Sequence, residues 1–282
     1  MKHFVFGTAN FKQKYGIRKK KINQKHLRTI LREKKIKYLD TSFDYQISNA
    51  FIKRFNFRNM KIITKTKLPY CKKKKFLENF ESNLNESLLA FKKKNFEAVL
   101  FHNVNDLKYA NGKKLFLILK NLKKKKLIKK IGVSVYKADD LKCVFKIFVP
   151  DIVQFPLNIF NQNFINHKYY KYLSGKKTIF QVRSIFLQGM IPEKLNNLKH
   201  YKINKKLFLK IKELDIFCKK NKISRLEACI YYINSVRGIK LITFGINNKF
   251  ELKDIFKKFN KNKKIDFKRF NLDNKSVDPR LW

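Results

Sequence analysis

The segment YLDTSFDYQISN, residues 38–49, holds three ionisable side chains within six positions: Asp40, Asp44 and Tyr45. Carboxylates are scarce in the chain as a whole, which has only 20 Asp and Glu against 68 Lys and Arg. Two neighbouring carboxylates could divide the work of an acid and a base, and a phenol can pass a proton. The segment therefore contains the residue types of a proton-transfer site.

Two further ionisable residues end other apolar segments: Lys65 ends KIITK and His102 ends EAVLFH. Taken singly, each residue has an ordinary explanation. Asp40 could cap a turn, Tyr45 could be a core aromatic, and most histidines are structural. Four different ionisable types at the ends of three successive segments are an uncommon coincidence. We therefore treat them as one candidate site, on condition that the fold brings these ends together.

Eight short segments predict the strands of a parallel sheet covered on both faces, because their interiors are mostly apolar and do not alternate strictly. They are HFVFGT (3–8), KYLDT (37–41), KIITK (61–65), EAVLFH (97–102), IGVSV (131–135), DIVQF (151–155), TIFQV (178–182) and KLITFG (240–245). Amphipathic stretches lie between them, and Asn23, Ser48 and Ser224 predict helix starts. This alternation in 282 residues favours a (β/α)8 TIM barrel, an α/β fold with a single domain over residues 1–282.

A doubly wound sheet is the alternative fold. The chain has neither G-x-G-x-x-G nor G-x-x-x-x-G-K-[ST], so no Gly-rich first turn is available to bind a nucleotide. The polar segment 190–205 is predicted to be a long loop after the seventh strand.

In a barrel, chemistry belongs to the carboxyl ends of the strands and the loops after them. Strands two, three and four are neighbours there, so we expect the ionisable residues at their ends to converge. Later strand ends supply further polar side chains. They are Ser134, Gln154 with Asn158, and Arg183 with Ser184.

The ordered motifs resemble those of the aldo-keto reductase family. DTSFDY is similar to the family's D-T-A-x-x-Y stretch, with the same step from Asp40 to Tyr45. ITKT is similar to its strand-three lysine segment, and VLFHNV to its strand-four L-x-x-H pattern. The resemblance continues through FGTANFKQKYGI, GVSVYKADDL, DIVQFPLNIFNQ, VRSIFLQGMI and ITFGINNKFEL, and so covers nearly the whole chain. The second half most resembles a bacterial branch associated with sugar and surface-polysaccharide pathways.

The resemblance implies an NAD(P)H-dependent oxidoreductase that reduces an aldehyde or ketone to an alcohol by hydride transfer. It implies that Tyr45 protonates the forming alkoxide, that Lys65 makes the phenol proton easier to lose, and that Asp40 holds Lys65. His102 would hydrogen-bond the substrate oxygen. Asp44 has no catalytic counterpart in the family, and we expect it to order its loop through local hydrogen bonds.

The resemblance also implies contacts to the nicotinamide. Ser134 and Gln154 would hold the carboxamide, with Asn158 in a supporting role. At strand seven the family often stacks an aromatic ring on the nicotinamide. The matching position here is Arg183, next to Ser184, and the plane of the guanidinium could substitute for the ring.

After strand eight, Gly245, Asn247 and Asn248 would approach the adenosine phosphate through backbone N–H groups at a helix start. The family's NADP-reading arginine falls near Glu251, although Lys249 is close. NADPH is the expected cofactor and NADH the alternative. No metal is expected.

The net charge of +48 has two explanations. One is polyanion or nucleic-acid binding through the basic surface. The other is nucleotide bias, because the chain is rich at once in Lys, Asn, Ile and Phe, the residues of AT-rich codons. The 28 phenylalanines and the lysine runs along most of the chain favour the second explanation. We therefore expect a small-molecule carbonyl substrate, anionic or sugar-like, and no dedicated nucleic-acid partner.

No stretch approaches the roughly 18 apolar residues of a membrane span, so no membrane partner is expected. The four cysteines are widely spaced, which indicates free thiols in a reducing cytoplasm. A cofactor-binding regulatory barrel with little catalysis remains the functional alternative to the reductase.

Overall fold

The computed structural model describes residues 2–11, 22, 24–45, 47–201, 203–261 and 263–281. Eight parallel strands close into a barrel in sequence order, so that the last strand pairs with the first. They are β1 (His3–Gly7), β2 (Ile36–Asp40), β3 (Lys61–Thr66), β4 (Ala98–Phe101), β5 (Ile131–Ser134), β6 (Ile152–Pro156), β7 (Ile179–Arg183) and β8 (Ile239–Phe244). Each strand end lies within one residue of its predicted end. The TIM barrel is confirmed and the doubly wound alternative is wrong.

Helices follow the strands around the barrel. They are α1 (Gln24–Leu31), α2 (Asn49–Lys53), α3 (Lys73–Glu78), α4 (Phe80–Phe91), α5 (Ala110–Lys124), α6 (Leu141–Phe145), α7 (Lys168–Ser174), α8 (Leu195–Leu198), α9 (Lys205–Lys220), α10 (Arg225–Ser235) and α11 (Lys249–Phe259). None of these described helices has the length and apolar character needed to cross a bilayer.

Two of the predicted helix starts are confirmed by their caps. Ser48 Oγ accepts a hydrogen bond from Phe51 N, and Ser224 Oγ accepts one from Glu227 N in a reciprocal capping box. The third, Asn23, lies outside the described residues. The prediction of a long loop over 190–205 is wrong in part, because the short helix α8 forms there around the fully buried side chain of Leu198.

The barrel interior is apolar at one level and polar at the next. A compact inner cluster comprises Val5, Ile63, Ala98, Leu100, Ile152 and Leu241. Side chains alternate along a strand, so a residue two positions further on faces the same side. Lys65, His102 and Gln154 each stand two positions after a member of this cluster. The period of the strands thus turns these polar side chains inward at the carboxyl ends.

Candidate active site

A cavity of about 490 Å³ lies at the carboxyl ends of the strands. Asp40, Tyr45, Lys65 and His102 all line it. Asp40 ends β2, Lys65 lies one residue before the end of β3, and His102 directly follows β4. Tyr45 belongs to a 3-10 turn, Phe43–Tyr45, that follows β2. The structure therefore brings together the four ionisable residues singled out by sequence.

Lys65 and Asp40 form a buried ion pair. Lys65 Nζ donates to Asp40 Oδ2 at 2.6 Å, and the two residues are only 1% and 5% exposed. The other carboxylate oxygen, Asp40 Oδ1, accepts hydrogen bonds from Gln154 Nε2 at 2.7 Å and from Gln181 Nε2 at 3.1 Å. These three donors satisfy a carboxylate that would be costly to bury unpaired. The pair places the ammonium 5.4 Å from the centroid of the Tyr45 ring.

Burial raises the pKa of the Tyr45 hydroxyl well above its ordinary value, and the negative charge of Asp40 adds to the effect. The positive charge of Arg183 acts in the opposite direction on this pKa. Desolvation outweighs the attraction of Arg183, so the net change in this pKa is upward. The effect expected of Lys65 on the phenol stays a prediction. At neutral pH the hydroxyl is protonated, as a proton donor requires.

His102 is held by the carboxylate next to Tyr45. His102 Nδ1 lies 2.8 Å from Asp44 Oδ2, and Ser42 Oγ lies 3.3 Å from the same nitrogen. The local hydrogen bonds expected for Asp44 are present, since its backbone N donates to Ser42 Oγ at 3.2 Å. The contact with His102 was missed by sequence reasoning, because a link between residues 58 positions apart leaves no local pattern. The rings of Tyr45 and His102 lie edge to face at 6.1 Å.

Most of the residues assigned to cofactor binding line the same cavity. They are Ser134, Gln154, Arg183, Ser184, Gly245 and Asn247. Ser134 Oγ donates to Gln154 Oε1 at 3.0 Å, and Gln154 in turn donates to Asp40. The predicted carboxamide contacts are therefore connected directly to the buried ion pair.

The other two residues named for the cofactor site support the loops around the cavity without lining it. Asn158 is buried, and its Nδ2 donates to Ser184 O at 3.1 Å. Asn248 caps α11, because its Oδ1 accepts hydrogen bonds from Phe250 N and Glu251 N. Neither is among the residues that line the cavity. Their side chains hold the loops on which Ser184 and α11 are carried.

Arg183 rests on an aromatic ring at the cavity wall. Its Cζ lies 4.4 Å from the centroid of Tyr136, and its Nη2 donates to Val135 O at 3.3 Å. The guanidinium of Arg280 also lies over Tyr136 and is paired with Asp278. Among the described residues, no carboxylate oxygen lies within 4.0 Å of the Arg183 guanidinium. The stacking of Arg183 on a nicotinamide stays a prediction.

Sequence reasoning also missed buried amides that complete the site. Gln181 stands opposite Gln154 in the register of β6 and β7, and its Nε2 also donates to Thr243 Oγ1 at 2.8 Å. The sequence does show Gln181 as an amide within the apolar segment TIFQV, which could have indicated a buried polar contact. Asn10 lines the cavity, and its buried Oδ1 has no hydrogen-bond partner in the part of the chain that the structure describes.

The loop after β7 is conformationally strained at the cavity. Ser184, Leu187 and Gln188 adopt φ values of 57°, 47° and 55°, a left-handed region that non-glycine residues rarely occupy. Ser184 and Gln188 line the cavity. Strain of this kind is concentrated at functional sites. No group of three or more His, Cys, Asp or Glu side chains in the described ranges is placed to hold a metal ion.

The model of the Aldo/keto reductase family matches residues 3–271. The chain belongs to the aldo/keto reductase family. This membership makes the protein an oxidoreductase enzyme of a family that reduces carbonyl groups with nicotinamide cofactors. No curated protein matches the sequence.

Solved aldo-keto reductases share the fold at low identity. The enzyme of the silkworm Bombyx mori superposes with a TM-score of 0.66 at 16% identity, over 99% of this chain and 87% of that one. The holo form of a Bacillus halodurans aldo-keto reductase gives 0.66 at 13% identity, over 91% and 86%. A glycerol dehydrogenase of Gluconobacter oxydans gives 0.63 at 16% identity, over 90% and 86%. At these identities the likeness shows the barrel architecture alone.

Proposed function

We propose that this aldo-keto reductase reduces an aldehyde or ketone to an alcohol with NADPH, with NADH as the alternative, and that Tyr45 donates the proton. The observation that carries the proposal is the convergence of Tyr45, Lys65, Asp40 and His102 on one cavity, where Asp40 holds Lys65 at 2.6 Å. A cationic neighbour, a protonated phenol and an imidazole together can stabilise and protonate a forming alkoxide.

The residues around the cavity fit a nicotinamide dinucleotide. Ser134 and Gln154 supply a hydroxyl and an amide beside the ion pair, and the buried Oδ1 of Asn10 is an acceptor that a bound ligand could satisfy. At Gly245 nothing stands within 4 Å of the place a Cβ would take, so the backbone before α11 is open to a phosphate. When bound, the cofactor supplies the hydride.

The protein's own groups have separate tasks in this proposal. Burial and Asp40 keep the Tyr45 hydroxyl protonated until the substrate oxygen takes up charge. The proton then passes from Tyr45 Oη to that oxygen, and the ammonium of Lys65 stabilises the phenolate left behind. Asp40 aims the ammonium, and His102 aligns the oxygen that receives the proton.

Two side chains near α11 act in opposite directions on the choice of cofactor. The carboxylate of Glu251 lines the cavity and accepts a hydrogen bond from Asn247 N at 2.8 Å, which disfavours a 2′-phosphate nearby. Lys249 and the net charge of +48 favour the more anionic NADPH. Titrating the protein with NADPH and with NADH, while the fluorescence of the reduced nicotinamide is followed, gives the two dissociation constants. Tighter binding of NADH would overturn the preference for NADPH.

We also propose an anionic or sugar-like substrate, supported by the Arg183 guanidinium, which lies on the cavity wall without a carboxylate partner among the described residues. Arginine recognises carboxylates and phosphates through paired hydrogen bonds. Matched substrates test this, for example succinic semialdehyde with butanal and glyceraldehyde 3-phosphate with glyceraldehyde. The charged member should have the higher kcat/KM, and the ratio should fall roughly 10- to 100-fold in Arg183→Met. Equal ratios in both proteins would refute this role of Arg183.

Substitution of Tyr45 by Phe tests the central assignment. Tyr45→Phe should abolish turnover across a panel of aldehydes, ketoses and nucleotide-linked keto sugars. It should leave the quenching and blue shift of NADPH fluorescence on binding unchanged. Tyr172→Phe, at a tyrosine 46% exposed on α7, is the matched control and should keep full activity. Unchanged turnover in Tyr45→Phe would refute the role of Tyr45, whereas cofactor binding by the wild type without reduction of any carbonyl would favour a regulatory barrel.

A reducing cytoplasmic location is proposed from the cysteines. All four, Cys71, Cys143, Cys218 and Cys229, are free. Fractionation of cells that produce the protein tests this, and recovery in an oxidising compartment would contradict it.

A further inference from the structure

The reductase mechanism above uses Asp40, the last residue of β2, and gives no role to Asp44 in the turn that follows. Asp44 Oδ2 lies 2.8 Å from His102 Nδ1, and the two side chains are 25% and 30% exposed. The pair is therefore partly exposed, and His102 lines the cavity whereas Asp44 does not. Ser42 Oγ lies 3.1 Å from the same carboxylate oxygen and 3.2 Å from Lys65 O, which ties the turn to β3.

The chemistry of the two groups decides where the imidazole proton lies. An ionised carboxylate can only accept hydrogen bonds, so the ring nitrogen that faces it carries a proton. With Nδ1 protonated and bound to Asp44, Nε2 is the nitrogen left for another partner. His102 lines the cavity together with Tyr45, and the two rings lie edge to face at 6.1 Å.

We propose that Asp44 is a positioning residue that fixes His102 in the Nδ1–H form and turns Nε2 toward the substrate oxygen. Reduction uses the doubly protonated ring, in which Nδ1–H donates to Asp44 and Nε2–H donates to the carbonyl oxygen. The singly protonated ring has no hydrogen at Nε2 and can only accept the hydroxyl hydrogen of the alcohol product. Asp44 acts through His102, because it contacts that ring and is not among the residues that line the cavity. The kinetic consequence rests on the proposed function, whereas the state of the ring does not.

The state of the ring can be measured without turnover. Two-bond ¹H–¹⁵N correlation spectra distinguish a histidine protonated at Nδ1 from one protonated at Nε2. The His102 signals, assigned by comparison with His102→Gln, should show a protonated Nδ1 in the wild type. In Asp44→Ala, His102 Nδ1 loses its hydrogen bond to the carboxylate, and the spectra should show the ring shifted to the Nε2–H form. A wild type already in the Nε2–H form, or identical signals in the variant, would overturn the proposal.

The kinetic arm compares three variants at the same position. Asp44→Ala should lower kcat roughly 10- to 100-fold, the cost of losing a hydrogen bond to a charged group. Asp44→Asn should lower it by less, because its amide oxygen can still accept from Nδ1–H. Asp44→Glu, which restores a carboxylate, should recover part of that loss. The dissociation constant for NADPH should stay within about twofold throughout, because Asp44 is not among the residues that line the cavity. Asp44→Asn, close to Asp44 in size and shape, keeps the test valid if Asp44→Ala unfolds.

A surface carboxylate provides the control. Glu81 pairs with Lys125 at 2.6 Å on the outer helices, and Glu81→Gln should change neither kcat nor the His102 spectrum. Full kcat in both Asp44→Asn and Asp44→Ala would refute the positioning role. A wild type that reduces no carbonyl would instead refute the proposed function, and the spectra would still decide the state of His102.

Discussion

Removing one member of the buried Lys65–Asp40 pair should destabilise the protein far more than replacing both. Nζ and Oδ2 lie 2.6 Å apart, and the residues are 1% and 5% exposed. At an effective dielectric constant of about 20, charges at that separation attract by about 6 kcal/mol. Taking each ion out of water costs several kcal/mol, so in the intact pair the desolvation cost and the attraction nearly cancel. One substitution removes the attraction and leaves the other ion buried.

Single and double substitutions should therefore differ in their effect on the free energy of unfolding. Asp40→Leu should lower the free energy of unfolding by about 3–5 kcal/mol, because it removes the carboxylate that neutralises the buried ammonium of Lys65. The amide donors of Gln154 and Gln181 also lose their acceptor. At about 2–4 °C per kcal/mol, Tm should fall by roughly 6–20 °C. The double variant Asp40→Leu with Lys65→Met should lose less than Asp40→Leu alone, although neither protein should turn over substrate.

Urea unfolding of the wild type, both single variants and the double variant completes a double-mutant cycle. We expect a favourable coupling energy of at least about 2 kcal/mol between Asp40 and Lys65. The exposed pair Glu81–Lys125, with the same 2.6 Å separation, is the control and should give at most about 1 kcal/mol. Additive effects at Asp40 and Lys65, within about 0.5 kcal/mol, would refute the reasoning, because they would mean that each ion finds compensation without the other.

Three further measurements test other parts of the structure. Gly132→Ala should lower the free energy of unfolding by about 1–3 kcal/mol, because its Cβ would stand 2.3 Å from the Cγ2 and the carbonyl oxygen of Ile152, and an unchanged urea midpoint would contradict this. Burial raises the pKa of Tyr45, so ultraviolet titrations of the wild type and Tyr45→Phe should coincide up to about pH 10 and differ only above it. A phenolate missing from the variant below that pH would contradict the raised pKa. Ser224→Ala should cost about 1 kcal/mol at neutral pH. Hydrogen bonds from the Ser224 backbone and from its hydroxyl hold the pKa of Glu227 below its ordinary value of 4.5, and Ser224→Ala removes the one from the hydroxyl. The stabilisation that depends on the ionised Glu227 carboxylate is therefore complete above pH 4.5 and is lost as the pH falls through the lowered pKa. The difference in free energy of unfolding between the wild type and Ser224→Ala should therefore become smaller in acid. A difference that stays constant into acid would contradict it.

The features predictable from sequence are those set by local period. Continuous apolar segments located all eight strands, and the carboxyl ends of these segments placed Lys65, His102 and Gln154 at one end of the barrel. The partners of these side chains were not predictable in the same way. The bond from Gln181 to Asp40 spans 141 positions, and it depends on strand register and side-chain rotamers that no local pattern records. The rise in the pKa of Tyr45 was not predictable for a related reason, because burial depends on everything packed around the ring.

The two carboxylates near Tyr45 serve different neighbours, and their positions explain why. Asp40 is the last residue of β2, so its side chain faces the interior and meets Lys65 from the adjacent strand β3. Asp44 comes four residues later in the turn above, where it reaches His102 at the end of β4. Tyr45 follows Asp44 directly, so one short turn carries the phenol between the two pairs. Substitution at the buried pair should therefore reduce stability as well as turnover, whereas substitution of Asp44 should slow the reaction with little effect on unfolding.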